Sequence, residues 1–341
     1  VRDCSLSHYN PDLTLRTNLA EGWSVNEDGR EWTVTLRKGT RWSDGAPFTA
    51  ADFLYHWEHV VMDPDLNPAG PSNPYTLTAL DDNTVLFTYE EPFPLFAYSY
   101  NRDHPFAPGH YMRQFHKALA DDPAAIDRMV AEEGLDGWTA LYSDRNNWYI
   151  NPARPDITPW VATNELSNEL FIMERNPFFF AIDPEGAQLP YIDRITHRLY
   201  EQQDVFNLWI LNGEIDWQSR GVSVANYTLF NEGKEAGGYN ILTWRSDGGQ
   251  TLSINHDAKD PRVREFFNDV NVRKGLNVAV DRDTINEIVW DGLMTPRQAS
   301  PSSFGPYYIE EASRAYAYYD PDEANAFLDA AGYTERDADG F

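Results

Sequence analysis

Leu19 to Trp57 reads LAEGWSVNEDGREWTVTLRKGTRWSDGAPFTAADFLYHW, and this stretch decides the fold. Trp23-Ser24-Val25 alternates as a strand does, and Trp32-Thr33-Val34-Thr35-Leu36 is dense in aromatic and β-branched residues that suit a pleated surface. Between them Asp28-Gly29 supplies positive φ angles, which predicts a two-residue hairpin turn. Trp42-Ser43-Asp44-Gly45-Ala46-Pro47 turns the chain again. Thr49 then stands as an N-cap with Asp52 three residues on, close to the capping-box pattern.

Outward from this segment, Phe53, Leu54, Trp57, Val60 and Val61 recur at helical spacing, which predicts a helix over 50–62 that ends at Asp63-Pro64. Four prolines between 63 and 75 make loop, and Thr84 to Tyr89 reads as a strand after an Asp-Asp-Asn turn. Residues 112–133 are helical in character and 134–157 read as loop. Glu174-Arg175-Asn176-Pro177-Phe178-Phe179-Phe180 leads through Pro184-Glu185-Gly186 into the strand LPYIDRI. A helix over 204–219 is followed by Gly213-Glu214-Ile215-Asp216-Trp217, read as a Gly stop and a buried strand. Asp269 and Asp281 are placed to cap successive helices. Asp320-Pro321-Asp322-Glu323 combines an N-cap, a first-turn proline and acids on the helix dipole.

Composition bounds the partners. With 27 basic and 54 acidic residues in 341, the formal charge of −27 repels phosphates and anionic lipid, so no nucleic-acid partner is expected. No apolar run is long enough to span a bilayer. The single cysteine, Cys4, excludes an intramolecular disulfide and a cysteine zinc cluster. It reads as an incidental thiol, with a lipid-anchored cysteine as the alternative. The 11 Trp, 19 Tyr and 18 Phe exceed ordinary usage; most must be core, and a surplus of Trp and Tyr also suits a ligand cleft.

Four separated segments (Leu19–Trp57, LDDNTVLFTYEEPFPLF, ERNPFFFAIDPEGAQLPYIDRI with GEIDW, and DVNVRKGLNVAVDRDTINEIVWDGL with YDPDEANAFLDAAGY) resemble, in order, the family 5 extracellular solute-binding proteins, the receptors of ABC importers for peptides, nickel chelates and some oligosaccharides. The resemblance implies an α/β, bilobal, periplasmic-binding-protein-like fold with an extra β-rich domain, here an incomplete copy cut at both ends. It places the extra domain at 1–157, part of lobe one at 158–245 and the start of lobe two at 246–341. It further implies a monomer that captures an oligopeptide between its lobes, without turnover, and delivers it to a membrane permease. The protein would be periplasmic or extracellular, held at the membrane by a lipid anchor or by the permease. No cofactor is implied. A short oligosaccharide is the alternative ligand, and a secreted carbohydrate-active hydrolase or binding module the alternative class.

The family's chain crosses between lobes near 244–255, so the resemblance puts Trp244, Asp247, Gly249, Gln250, Thr251 and Ser253 at the ligand. A plain turn at Asp247-Gly248-Gly249 explains the same residues. Tyr307 joins the set as an aromatic in a loop. No GxSxG, P-loop or dinucleotide fingerprint is present, and the many carboxylates single out no acid–nucleophile pair, so no catalytic residue is named. His56-Trp57-Glu58-His59 places two histidines near a carboxylate, which a metal could use, but an exposed polar face is the better reading. Asp337, Asp339 and Gly340 resemble either the start of a calcium loop or an Asp-Gly turn.

Overall fold

The computed structural model describes residues 4–12, 14–101, 103–244, 251–305 and 307–335. The Asp337–Gly340 turn lies outside them. The three-part division above concerns the lobes of a complete fold; the chain itself divides by contacts into two compact units, Val1–Leu199 and Tyr200–Phe341.

The first unit opens with a short ladder of β1 (Ser7–Tyr9) and β2 (Leu15–Thr17). The hairpin follows as β3 (Ala20–Val25) and β4 (Glu31–Leu36), with Val25 opposite Trp32. Its connection is longer than the two residues expected. Asn26 closes it from the side, its Oδ1 accepting from the N–H groups of Arg30 and Glu31. An Asx cap does here what a two-residue turn would have done. Then come α1 (Ala50–His56), β5 (Tyr75–Asp81) and β6 (Thr84–Tyr89), giving an antiparallel sheet in the order β3-β4-β6-β5.

Period two decides what this sheet buries. On β4 the inward set is Trp32, Val34 and Leu36; on β6 it is Val85, Phe87 and Tyr89. Register brings Trp32 opposite Phe87 and Val34 opposite Val85. Trp32 stacks on Phe96 of α2 (Phe96–Ser99) at 4.8 Å and 11°. Trp42, Phe48, Phe53 and Phe106 complete the aromatic core with edge-on and tilted contacts, the preferred geometry of ring quadrupoles. Cys4 lies buried in the same core and forms no disulfide.

Helix α1 starts on a complete capping box. Ala51 N–H donates to Thr49 Oγ1 and Asp52 Oδ2 accepts from the Thr49 N–H. It runs into a π turn, Trp57–Val61, rather than continuing as α-helix to 62. The region after it is broken into α3 (Gly109–Met112) and α4 (Pro123–Glu133), where one helical stretch was expected. Residues 138–146 form α5 (Trp138–Asn146), not loop. The unit closes with the sheet β7 (Trp160–Ala162), β8 (Leu170–Arg175) and β9 (Arg194–Arg198), in that order.

The described part of the second unit is helical: α6 (Gln203–Leu211), α7 (Tyr227–Gly237), α8 (Pro261–Asn268), α9 (Val270–Val278), α10 (Arg282–Trp290), α11 (Glu310–Arg314) and α12 (Pro321–Ala330). Asp260, Asp269, Asp281 and Asp320 cap α8, α9, α10 and α12 through their carboxylates. Part of the acidic excess thus satisfies helix N–H groups. Helix α9 packs on α12 across Gly275, where a Cβ would meet the Ala324 carbonyl at 3.0 Å. Val272, Val278 and Ala324 are buried there, whereas Leu276, Ile285, Ile288 and Val289 are exposed. The GEIDW segment is not a buried strand. Gly213 turns the chain at a φ of 72°, the following residues are coil, and Trp217 faces solvent.

Candidate functional site

Of the residues assigned to the ligand from the sequence, Asp247, Gly249 and Gln250 lie outside the described residues. Trp244 ends a coil that begins after α7 and is 67% exposed. Thr251 and Ser253 lie on an exposed coil around Leu252. Tyr307 is exposed as well, next to Tyr308, whose hydroxyl pairs with Ser313 Oγ at 2.9 Å.

The structure brings Trp244 to a residue that the sequence placed elsewhere. The Trp217 ring lies 6.1 Å from that of Trp244, inclined at 44°. Trp217 is itself 63% exposed. Beside it Gln218 Oε1 accepts from the N–H groups of Ser219 and Arg220, and so fixes the backbone of the turn. The signal in the sequence was the Gly213 turn, which argues for an exposed corner as readily as for a strand.

The first unit holds Asp52 and His56, two enclosed ionisable groups with large shifts. Asp52 is enclosed, and burial lifts its carboxyl to about 6 against the pull of the Thr49 N–H, the Trp42 indole and His110. The Trp42 N–H lies beside this carboxylate without reaching hydrogen-bond geometry. His110 is tied to Asp44 at 2.8 Å. One turn on from Asp52, His56 keeps some exposed surface but its Nδ1 is sealed and unpaired. Burial, with His104 and Arg154 nearby, lowers its pKa to about 4. His56 is therefore not part of an exposed polar face. His59 sits against Glu58 at 3.7 Å, and His116 reaches the His59 carbonyl at 3.0 Å and Asp63 at 3.3 Å. Among the described residues no three His, Cys, Asp or Glu side chains converge as a metal site.

Two surface depressions lie on the first unit. One lies between the exposed ion pairs Arg194–Glu174 (2.8 Å) and Arg175–Asp193 (3.4 Å), a solvated surface of little energetic weight. The other lies beside edge strand β5, among Trp57, Met62, Pro71 and Tyr75. Trp57 is committed there to structure, its indole N–H donating to the Tyr75 carbonyl at 3.1 Å. Neither depression holds a residue assigned to the ligand.

A mixed α/β chain with these elements is of the periplasmic binding-protein class, and solved structures of that class match it along nearly its full length. The oligopeptide-binding protein OppA matches with a TM-score of 0.75 and 37% identity, over 97% of this chain and 54% of that one. The periplasmic binding protein MelB from Agrobacterium fabrum, solved with stachyose, matches in fold with a TM-score of 0.74 at 22% identity, over 100% of this chain and 52% of its own. The chain belongs to the bacterial extracellular solute-binding proteins, family 5, whose middle-region model matches residues 14–341. A curated relative, the periplasmic alpha-galactoside-binding protein of Rhizobium meliloti, is 27% identical over 97% of this chain. The chain spans about half the length of the curated relatives it matches, 48% of that protein and 56% of an oligopeptide-binding OppA from Haemophilus influenzae. Among the described residues no helix is long and apolar enough to cross a membrane.

Proposed function

We propose that this chain is part of the substrate-binding receptor of an ABC importer. It would act outside the cytoplasmic membrane, capture an oligopeptide or a short oligosaccharide, and release it unchanged to a membrane permease. The family match over residues 14–341 carries the reading. The perturbed groups of the first unit fit it too. Asp52 is placed by the capping box of α1, and the Nδ1 of His56 is sealed by packing, so structure accounts for both. Lobe one at 158–245 and lobe two from 246 would close on the solute by hinge motion, with the crossover near 244–255 contributing to the contact.

The test is a thermal-shift screen of the full-length receptor against peptide and oligosaccharide panels, followed by mass analysis of the recovered ligand. A solute at 100 times its Kd adds about 2.7 kcal/mol of stability. Recovery of intact ligand after long incubation is the expected result. Progressive cleavage would overturn the receptor reading in favour of a hydrolase.

A further inference from the structure

His116 joins three pieces of the first unit. The first is the π turn Trp57–Val61 at the end of α1, closed by the Met62 N–H on the Trp57 carbonyl at 3.0 Å. The His59 carbonyl of that turn lies 3.0 Å from His116 Nε2, across 57 residues of chain. Asp63 stands just past the turn. Its Oδ1 accepts from the Asp65 and Leu66 N–H groups, and its Oδ2 lies 3.3 Å from the same Nε2. The second piece is the chain after His116, where the Ala118 N–H donates to Nδ1 at 3.3 Å. The third is α5, whose Trp138 and Tyr142 meet the ring edge-on at 5.0 and 5.9 Å. The His116 side chain is 2% exposed. Further chain can add cover to such a ring but does not remove it.

These contacts fix the tautomer. A carbonyl only accepts and a backbone N–H only donates, so Nε2 carries the proton and Nδ1 is bare. A second proton has one place to go, Nδ1, where it would point at the Ala118 N–H. We propose that His116 is an acid-released latch: neutral, it ties the π turn and Asp63 to the chain at Ala118, and a proton taken from solvent on Nδ1 drives the ring from its seat and frees the joint. The groups around the ring pull both ways. The Asp63 carboxylate favours an imidazolium, whereas His59, itself 3.7 Å from Glu58, opposes one. Tyr142 offers only its ring edge, and Lys117 is engaged by Asp127 of α4 at 2.8 Å. Burial outweighs Asp63 and holds the pKa of His116 below its ordinary value. The joint reaches the sheet through Trp57, whose indole N–H donates to Tyr75 of β5. The latch stands whether or not the receptor reading does; if it does, the medium outside the cell sets the pH that the ring meets.

The experiment follows the full-length protein from about pH 7.5 to about pH 4.5. NMR of isotope-labelled histidines reads the tautomer and charge of His116, assigned by the signal lost in His116→Gln. Hydrogen exchange of segments 57–63 and 113–120, corrected for its intrinsic pH dependence, reads the joint. The ring should be the Nε2–H tautomer at the upper end and titrate below its ordinary 6.5. Corrected exchange should rise by up to about tenfold per pH unit below that value. His116→Gln keeps a donor for the His59 carbonyl and takes no second proton, so its exchange should be flat. Asp63→Asn removes the carboxylate that favours the charged ring, so the rise should continue to lower pH. A ring that titrates above 6.5 without any change in exchange is held charged in place by Asp63 and overturns the proposal. An Nδ1–H tautomer at the upper end, or flat exchange in the parent, also overturns it. Should His116→Gln fail to fold, which circular dichroism checks, the exchange of the parent and of Asp63→Asn decides.

Discussion

Asp52 and His56 stand one turn apart on α1, the carboxylate tied to the Thr49 N–H at 2.9 Å and the ring Nδ1 sealed without a partner. They respond to acid in opposite directions. Burial raises Asp52 from 3.8 to about 6, so the folded state binds its proton more tightly than the unfolded chain. That contribution is complete below pH 4 and is lost as pH rises through 6. Burial lowers His56 from 6.5 to about 4, so its contribution is present above pH 6.5 and is lost as pH falls through 4. Each spans roughly two units, worth up to about 3 kcal/mol, and over the shared window they cancel.

Removing one group should expose the other. Asp52→Asn should lose up to about 3 kcal/mol between pH 6.5 and 4 relative to the parent, and His56→Leu should gain a similar amount over the same interval. Urea melts at half-unit pH steps measure both. Three parallel profiles would show that neither group is as buried in solution as the structure has it.

Trp42 is a structural residue. It is 1% exposed and packs on Phe48, Phe106 and His110. Trp42→Ala should cost about 3–5 kcal/mol and leave ligand affinity unchanged below the melting transition. Lost binding with intact stability would move it into the ligand site.

Gly213 carries the approach of α6 to α7. Its φ is 72°, and a Cβ there would lie 2.1 Å from the Gly237 carbonyl oxygen. Gly213→Ala should destabilise by about 1–3 kcal/mol or more. Gly22→Ala, which meets nothing within 4 Å, should stay within about 0.5 kcal/mol of the parent. Equal melting of the two variants would disprove the close approach.

Ser253 is exposed, and its hydroxyl has no partner among the described residues. If the crossover touches the solute, Ser253→Ala and Gln250→Ala should each weaken binding several-fold, the worth of one neutral hydrogen bond at about 0.5–1.5 kcal/mol, with stability unchanged. Unaltered affinity in both removes this segment from the site.

Local rules carried the sequence reading far. The alternation in Trp32-Thr33-Val34-Thr35-Leu36, the Thr49–Asp52 box and the Asp269, Asp281 and Asp320 caps all depend on neighbours within a few residues, and all appear in the structure. The readings that failed lacked such a signal. Helix α5 follows Gly137, which makes no side-chain cap bond, and it sits between segments rich in loop residues. The lowered pKa of His56 owes part of its shift to the charges of His104 and Arg154, distant in sequence. The pairing of Trp217 with Trp244 joins two coil segments, and no periodicity reports a contact of that kind.

That pairing has an optical consequence. Two indoles 6.1 Å apart and inclined at 44° share their electronic transitions, and such coupling gives a paired positive and negative band in circular dichroism. The other nine indoles sit in enclosed or half-enclosed surroundings and emit toward the blue, so red-edge excitation selects the exposed two.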